Sequence, residues 1–329
     1  MRLIDTPLRI RSMELKNRVI LPAMAHIKGD GQSRVTPELC DYYRRMAARG
    51  YGLIVTEHCF VSPEGQASFR QLSVSRDSDV EGLSRIADSI HAYDTPVIAQ
   101  INHAGGAAKR EVIGCTPLAP SAVHVPDLGD PDLFPDVLTE SDIARITDDF
   151  VSAALRVRKA GFDGVEIHAA HGYLLSQFFS PITNHREGAW TSATLEGRIR
   201  FQLSVIRAVR SAVGDDYPIA VRYGCCDYLP GGCTVDDAGA AAPFFAAAGT
   251  DLFDVSGAMC HYRRPGHTEP GYFSNQTEAV RKQVSVPVVL TGGIQTPEQA
   301  EQFLSEGKAD LIGLGRLSLR PDVDFSGWF

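Results

Sequence analysis

Residues 286–316 read VPVVLTGGIQTPEQAEQFLSEGKADLIGLGR. An apolar, β-branched run, VPVVLTGG (286–293), ends in paired glycines. TPEQAEQFLSEG (296–307) follows with helical spacing, Thr296 as N-cap, Pro297 at N1 and Gln299 at N3. A second apolar run, ADLIGLGR (309–316), closes the unit. Strand, helix, strand with near-continuous apolar strands is the pattern of a parallel sheet covered on both faces.

The same unit recurs towards the N-terminus. Further candidate strands are RVILPA (18–23), GLIVTE (52–57), PVIAQIN (96–102), GVEIH (164–168), PIAVRYG (218–224) and LFDVSG (252–257), which makes eight in all. Helical segments lie between them, among them TPELCDYYRRMAARG (36–50) and SDIARITDDFVSAALRVRKAG (141–161), the latter with Ser141 as N-cap and Gly161 past its end. Eight βα units in 329 residues fit a closed barrel. An open doubly wound sheet wants GxGxxG after its first strand, and here that turn is PAMAHIKGDG. The expected fold is therefore α/β, a single (β/α)8 TIM barrel spanning 1–329. The loop after the third strand (103–138) is long and rich in Pro and Asp, a surface excursion or an active-site wall.

Composition narrows the function. A formal charge of −8 argues against nucleic acid or an anionic membrane as partner. The charged N-terminal stretch has no signal-peptide core, and no apolar run is long enough to span a bilayer, so a soluble cytoplasmic protein is expected. Seven cysteines at irregular spacing fit reduced thiols. Cys225, Cys226 and Cys233 lack the CxxC pairs of zinc and iron–sulfur sites, so no metal is expected; the plain alternative is one buried and one exposed thiol at a strand end.

The chemistry concentrates at strand ends. VEIHAAHGYLLSQFFSP (165–181) places His168, His171 and Tyr173 after the fourth strand. Two imidazoles there can hold a carbonyl oxygen and stabilise the charge that develops on it, while a tyrosine beside them supplies a proton. Metal ligation, or a plain polar loop, would use the same residues. After the last two strands, Gly292, Gly293 and Gly315 can cradle a phosphate on their N–H groups, with Arg316 as counter-ion; glycine also serves such turns for steric reasons alone. Gln100, Arg222 and Glu57 stand at other strand ends. An amide and a cation suit the pyrimidine ring of a flavin, which collects negative charge near N1 and O2 on reduction. Each of the three equally suits a core hydrogen bond.

Taken in order, these pieces resemble the Old Yellow Enzyme family, in its branch of bacterial ene-reductases and 2,4-dienoyl-CoA reductases. The resemblance runs from PLRIRSMELKNRVILPAM (7–24) to LGRLSLRPD (314–322) and includes AQINHAGG (99–106), IHAAHGYLLSQFFSP and NHREGAWTSATLEGRIRF (184–201). It implies non-covalent FMN, with Pro22, Ala23 and Met24 edging the isoalloxazine, and NAD(P)H as reductant. It implies hydride transfer from flavin N5 to the activated C=C bond of a small unsaturated carbonyl or dienoyl compound. His261, in SGAMCHYRRPG (256–266), falls near a substrate-side histidine of the long reductases, or is a loop residue. Departures exist. Gly106 follows Gly105 where relatives have Arg, Ala25 replaces Cys or Thr, and the 189–198 stretch lacks the usual glycines. The long reductases continue into an iron–sulfur segment, so electrons are expected from a nicotinamide directly or from a separate donor protein. A homo-oligomer is compatible with the resemblance. Competing readings are a flavin-dependent amine or C–H dehydrogenase, a flavin-bearing electron-transfer subunit, and a flavin-free lyase using the histidines with a metal.

Overall fold

The structure is a computed structural model that describes residues 2–325 and 327–328. Eight parallel strands close into a barrel: β1 (Val19–Leu21), β2 (Leu53–Phe60), β3 (Val97–Asn102), β4 (Gly164–Ala169), β5 (Ile219–Gly224), β6 (Leu252–Ser256), β7 (Val288–Thr291) and β8 (Leu311–Gly313). Each pairs with its sequence neighbours, and β8 closes on β1 through Ile312↔Val19. All eight match the expected runs, and every residue within them is buried.

Among the described residues, seven α-helices of eight residues or more form the outer layer: α1 (Pro37–Ala47), α2 (Val80–His91), α3 (Glu140–Lys159), α4 (Leu195–Val213), α5 (Val235–Ala248), α6 (Ser274–Arg281) and α7 (Pro297–Ser305). The eighth unit differs: β8 leads into a 3-10 turn, Arg316–Leu319. α7 starts as its sequence predicts, with Thr296 accepting from Gln299 N–H. α3 does not. Its N-cap is Thr139, not Ser141, because Thr139 and Asp142 form a reciprocal capping box two residues earlier.

Side-chain alternation divides the core. Leu53, Ile98, Ala220, Leu252 and Leu311 point inward and pack on Ile10, Met13 and Leu15. Those last three belong to an antiparallel hairpin, Leu8–Ile10 with Met13–Leu15, that plugs the barrel at the strands' N-terminal ends. The opposite mouth is left to polar side chains. One irregularity re-aims them: between β2 and β3 the register jumps from Thr56↔Ala99 to Cys59↔Ile101, so β2 carries an extra residue, a β-bulge at Glu57–His58.

No helix is long and apolar enough to cross a membrane among the described residues. Cys225 and Cys226 are both buried, which corrects the expectation of one exposed thiol, because both lie under the loops following β5 and β6. Among the described residues, no group of three or more His, Cys, Asp or Glu is arranged to hold a metal ion.

Candidate active site

Inward positions at the C-terminal ends of β3 to β6 carry Gln100, Glu166, His168, Arg222 and Asp254, with Gln100 beside Glu166 and Arg222 between His168 and Asp254. Gln100 Nε2 donates to Glu166 Oε1 at 2.7 Å, and Arg222 Nη1 donates to Asp254 Oδ2 at 2.5 Å. Burial, reinforced by the Asp254 charge, raises the Glu166 carboxyl above the usual carboxylate range. These pairings settle which atoms remain free. With its amide nitrogen on Glu166, Gln100 keeps Oε1 as an acceptor, and Arg222 keeps Nη2 as a charged donor; among the described residues neither atom has a partner, and neither is sealed from solvent. An acceptor beside a cation is the complement of an imide N–H beside a carbonyl. The residues present therefore fit the pyrimidine ring of a flavin.

The segment after β4 turns sharply. His171 takes a left-handed φ of 58°, its N–H donating to Gly257 O at 3.1 Å, and Gly172 follows at 73°. The turn brings the rings together: centroids of His168 and His171 lie 5.0 Å apart, and those of His168 and Tyr173 4.9 Å apart. Ala170 N–H donates to His168 Nδ1 at 3.2 Å, which leaves the ring proton on Nε2. Burial first, then His171, His58 and Arg222, hold His168 well below the ordinary histidine range, so the ring is a neutral donor. His171 Nε2 meets Ser256 Oγ at 2.7 Å. Burial pushes the Tyr173 hydroxyl up to about 12, keeping it protonated.

His261 joins this group. Its Nδ1 contacts His171 O at 3.2 Å, and its Nε2 is buried without a partner among the described residues. The 103–138 loop is a wall: Val125 and Leu128 lie 3.2 Å from where a Cβ on Gly172 would sit. Gln177, which sequence reading did not single out, ties the two loops together, accepting from Gly106 N–H at 3.0 Å and donating to Ala104 O and Gly172 O.

Across the mouth, β7 and β8 make a corner of backbone. Gly292 and Gly293 have φ of 113° and 72°; a Cβ on Gly292 would stand 2.7 Å from the Tyr272 ring, and one on Gly293 2.7 Å from Glu269 O. Arg316 Nη2 donates to Tyr272 OH at 2.9 Å. Gly315 packs towards Met24 Sδ and Pro22 Cγ, 3.6 and 3.7 Å from its Cβ position, so the corner adjoins the Pro22–Ala23–Met24 edge. Three glycines and one arginine in this arrangement suit a phosphate.

Glu57 serves that edge differently from the expectation of a direct ligand. Its Oε2 accepts from Ile27 N–H at 3.3 Å, fastening the chain just beyond Met24, and burial pushes its carboxyl up to about 7. The bulge is the cause. Strict alternation from Leu53 and Val55 would aim Glu57 into the mouth, but the extra residue hands that position to His58. Its ring stacks on Tyr173 at 5.4 Å and 27°. Sequence alternation alone misses His58, because nothing in GLIVTE announces the bulge.

The sequence profile of the NADH:flavin oxidoreductase / NADH oxidase family matches residues 4–325. The chain is similar to the NADH oxidase of Thermoanaerobacter brockii, 36% identical over 314 residues that cover 94% of this chain and 48% of that protein. It thus spans about half the length of that relative. It is 35% identical to the NADPH dehydrogenase of Geobacillus thermodenitrificans over 96% of this chain and 90% of that one. Among solved structures, the old yellow enzyme homologue from Zymomonas mobilis superposes with a TM-score of 0.82 at 28% identity, covering 95% of this chain and 88% of that one.

Proposed function

The chain belongs to the NADH:flavin oxidoreductase / NADH oxidase family, the FMN-binding barrels of Old Yellow Enzyme type, and from that premise we propose that it uses NADH or NADPH to reduce the activated C=C bond of an α,β-unsaturated carbonyl compound. The observation that carries this reading is the ring group at the end of β4, where His168 and Tyr173 stand 4.9 Å apart beside His171.

Bound FMN would supply the hydride-transfer chemistry between nicotinamide and substrate. The chain's own residues do the rest. Gln100 Oε1 and Arg222 Nη2 hold the flavin's pyrimidine edge, and the Arg222 charge favours the electron-rich form. Gly292, Gly293, Gly315 and Arg316 take the phosphate, and Pro22, Ala23 and Met24 line the ring edge.

On the substrate side, His168 Nε2–H and the His171 ring hold the carbonyl oxygen. As the hydride bonds to the β-carbon, the C=C pair moves towards that oxygen, where fixed neutral donors stabilise the growing charge. Tyr173 then gives its proton to the α-carbon. His261 and Ser256 act through His171, setting its backbone and ring, and are positioning residues.

The test is a visible spectrum of the purified protein, followed by anaerobic NADH or NADPH and then a cyclic enone. Flavin that bleaches and recovers with the enone is expected. Bleaching that only oxygen reverses would move the reading to amine or C–H oxidation or electron transfer. A protein left colourless after FMN addition would overturn it.

A further inference from the structure

Beneath the place given to the flavin's pyrimidine edge, the barrel interior holds more buried carboxyl groups than cations. Gln100 on β3, Glu166 on β4, Arg222 on β5 and Asp254 on β6 are all buried. Inward residues nearer the plug, among them Ile98, Ala220 and Leu252, are apolar. His168, which faces Arg222 in the β4–β5 register, carries no charge, because burial holds it well below the ordinary histidine range. Among the described residues, two carboxyl groups therefore share one guanidinium. With both ionised, this sealed cluster would carry a net negative charge under a ring that becomes negative on reduction.

The hydrogen bonds treat the two carboxyl groups unequally. Asp254 Oδ2 accepts from the Arg222 guanidinium at 2.5 Å, a charge-assisted bond that favours an ionised carboxylate. Glu166 Oε1 has only the neutral amide of Gln100, at 2.7 Å, and Oε2 is sealed from solvent with no partner among the described residues. Asp254 Oδ1 is sealed in the same way. An ionised carboxylate can only accept, so an ionised Glu166 leaves Oε2 desolvated without a donor, beside a second negative charge. A buried carboxyl group in that position keeps its proton instead. Burial, then the Asp254 charge, push Glu166 that way. Burial raises Asp254 as well, but there the Arg222 charge and its hydrogen bond both oppose it. The two groups titrate as a pair, and the bonding pattern puts their proton on Glu166.

We propose that Glu166 is a neutral carboxylic acid at neutral pH, and that by staying neutral it leaves Asp254 as the one carboxylate opposing Arg222 and so sets how readily the flavin accepts electrons. Glu166 acts through Gln100 and Arg222 and is a positioning residue. The proposal rests on the placement of the pyrimidine edge on Gln100 Oε1 and Arg222 Nη2; it concerns reduction of the flavin and is independent of the substrate reduced afterwards. A flavin that takes a hydride from NAD(P)H gains negative charge near N1 and O2. With Glu166 neutral, that charge meets a cluster of no net charge that still offers a guanidinium donor. On the alkaline side Glu166 ionises in the oxidised protein. Reduction there draws a proton from solvent back onto the carboxylate, so each hydride taken up by the flavin brings one more proton into the protein.

The test poises the FMN-loaded protein against redox dyes of known potential, from neutral to alkaline pH, and reads the ratio of reduced to oxidised flavin by absorbance. An infrared reduced-minus-oxidised spectrum, taken alongside, reports the C=O stretch of a protonated carboxyl group. Glu166→Gln keeps the shape and the neutrality of the side chain, so at neutral pH its ratio is expected to match wild type, and the C=O band to vanish. Asp254→Asn removes a charge that is present, and its ratio at the same pH is expected to rise roughly tenfold or more. On the alkaline side wild type should fall roughly tenfold below Glu166→Gln. If Glu166→Gln raises the ratio at neutral pH as Asp254→Asn does, and wild type shows no C=O band, Glu166 is ionised and the proposal is overturned. Should neither variant fold, wild type decides alone: a potential that falls with pH along one straight line, without an alkaline break, overturns it equally. If the band is present and neither variant moves the ratio at any pH, the proposal falls with the placement of the flavin edge over this cluster, a result distinct from an ionised Glu166.

Discussion

The two sides of the barrel mouth are built from different materials. Between β2 and β4 the wall is side-chain chemistry, and each ring is held by a partner outside the pocket: His168 by Ala170 N–H, His58 by Gln71, His171 by Ser256. Between β7 and β8 the corner is backbone. Gly292 and Gly293 hold positive φ and stand so close to Tyr272 and Glu269 that no side chain fits. A corner of amides suits a ligand group that never varies, such as a phosphate. A wall of tuned donors suits a reacting molecule, because exchanging one ring alters selectivity without moving the backbone.

Substitutions can break this comparison. Tyr173→Phe tests the wall most severely. Reoxidation of the reduced holoenzyme by an enone is expected to slow roughly 10²–10⁴-fold, the range for removal of a general acid, while flavin reduction by NADPH stays within a few-fold. Equal losses in both half-reactions, seen by stopped-flow absorbance, would remove Tyr173 from the protonation step. At the corner, Gly292→Val forces a β-branched residue to φ 113° against the Tyr272 ring. FMN affinity, measured by fluorescence titration, should weaken by up to about 10²-fold from backbone strain, with the rate at which an enone reoxidises the remaining holoenzyme unchanged. A shift in that rate would show that corner and wall are coupled.

Arg316→Ala removes a charged donor but spares the backbone. The expected loss in FMN affinity is roughly tenfold or somewhat more, and inorganic phosphate should compete less well with FMN in the variant than in wild type. Equal competition would move the phosphate elsewhere. Thr139→Ala serves as the control remote from both regions. Loss of the α3 N-cap should cost about 1 kcal/mol in denaturant unfolding with neither half-reaction altered; Ser141→Ala should cost less, since Ser141 is not the cap.

Much of the site was legible because barrel logic is local. A strand, its inward positions and the loop that follows are adjacent in sequence. Once eight apolar runs are counted, the residues at their C-terminal ends are known to face one mouth. His168, His171 and Tyr173 share one segment, and Gln100 and Arg222 stand at the ends of apolar runs. His261, near a substrate-side histidine by resemblance or else a loop residue, contacts His171 O in the structure. What escaped was never local. Glu57 stands at a strand end in the sequence, and only the β2–β3 register shows the bulge beside which its carboxylate accepts from Ile27 N–H. Nothing in the sequence around Gln177 marks the amide that bridges two loops.

By itself, the sequence determined the number and order of the strands, the glycine corner and the paired imidazoles, because side-chain period and turn chemistry are properties of neighbouring residues. Only the tertiary structure decided which atom of each polar residue is free to act. That depends on partners brought in from other strands by barrel closure. Glu166 turns the Gln100 amide, Ser256 holds the His171 ring, and Asp254 takes one arm of Arg222. A hydrogen-bond role is shared between two groups, and no single stretch of chain contains both.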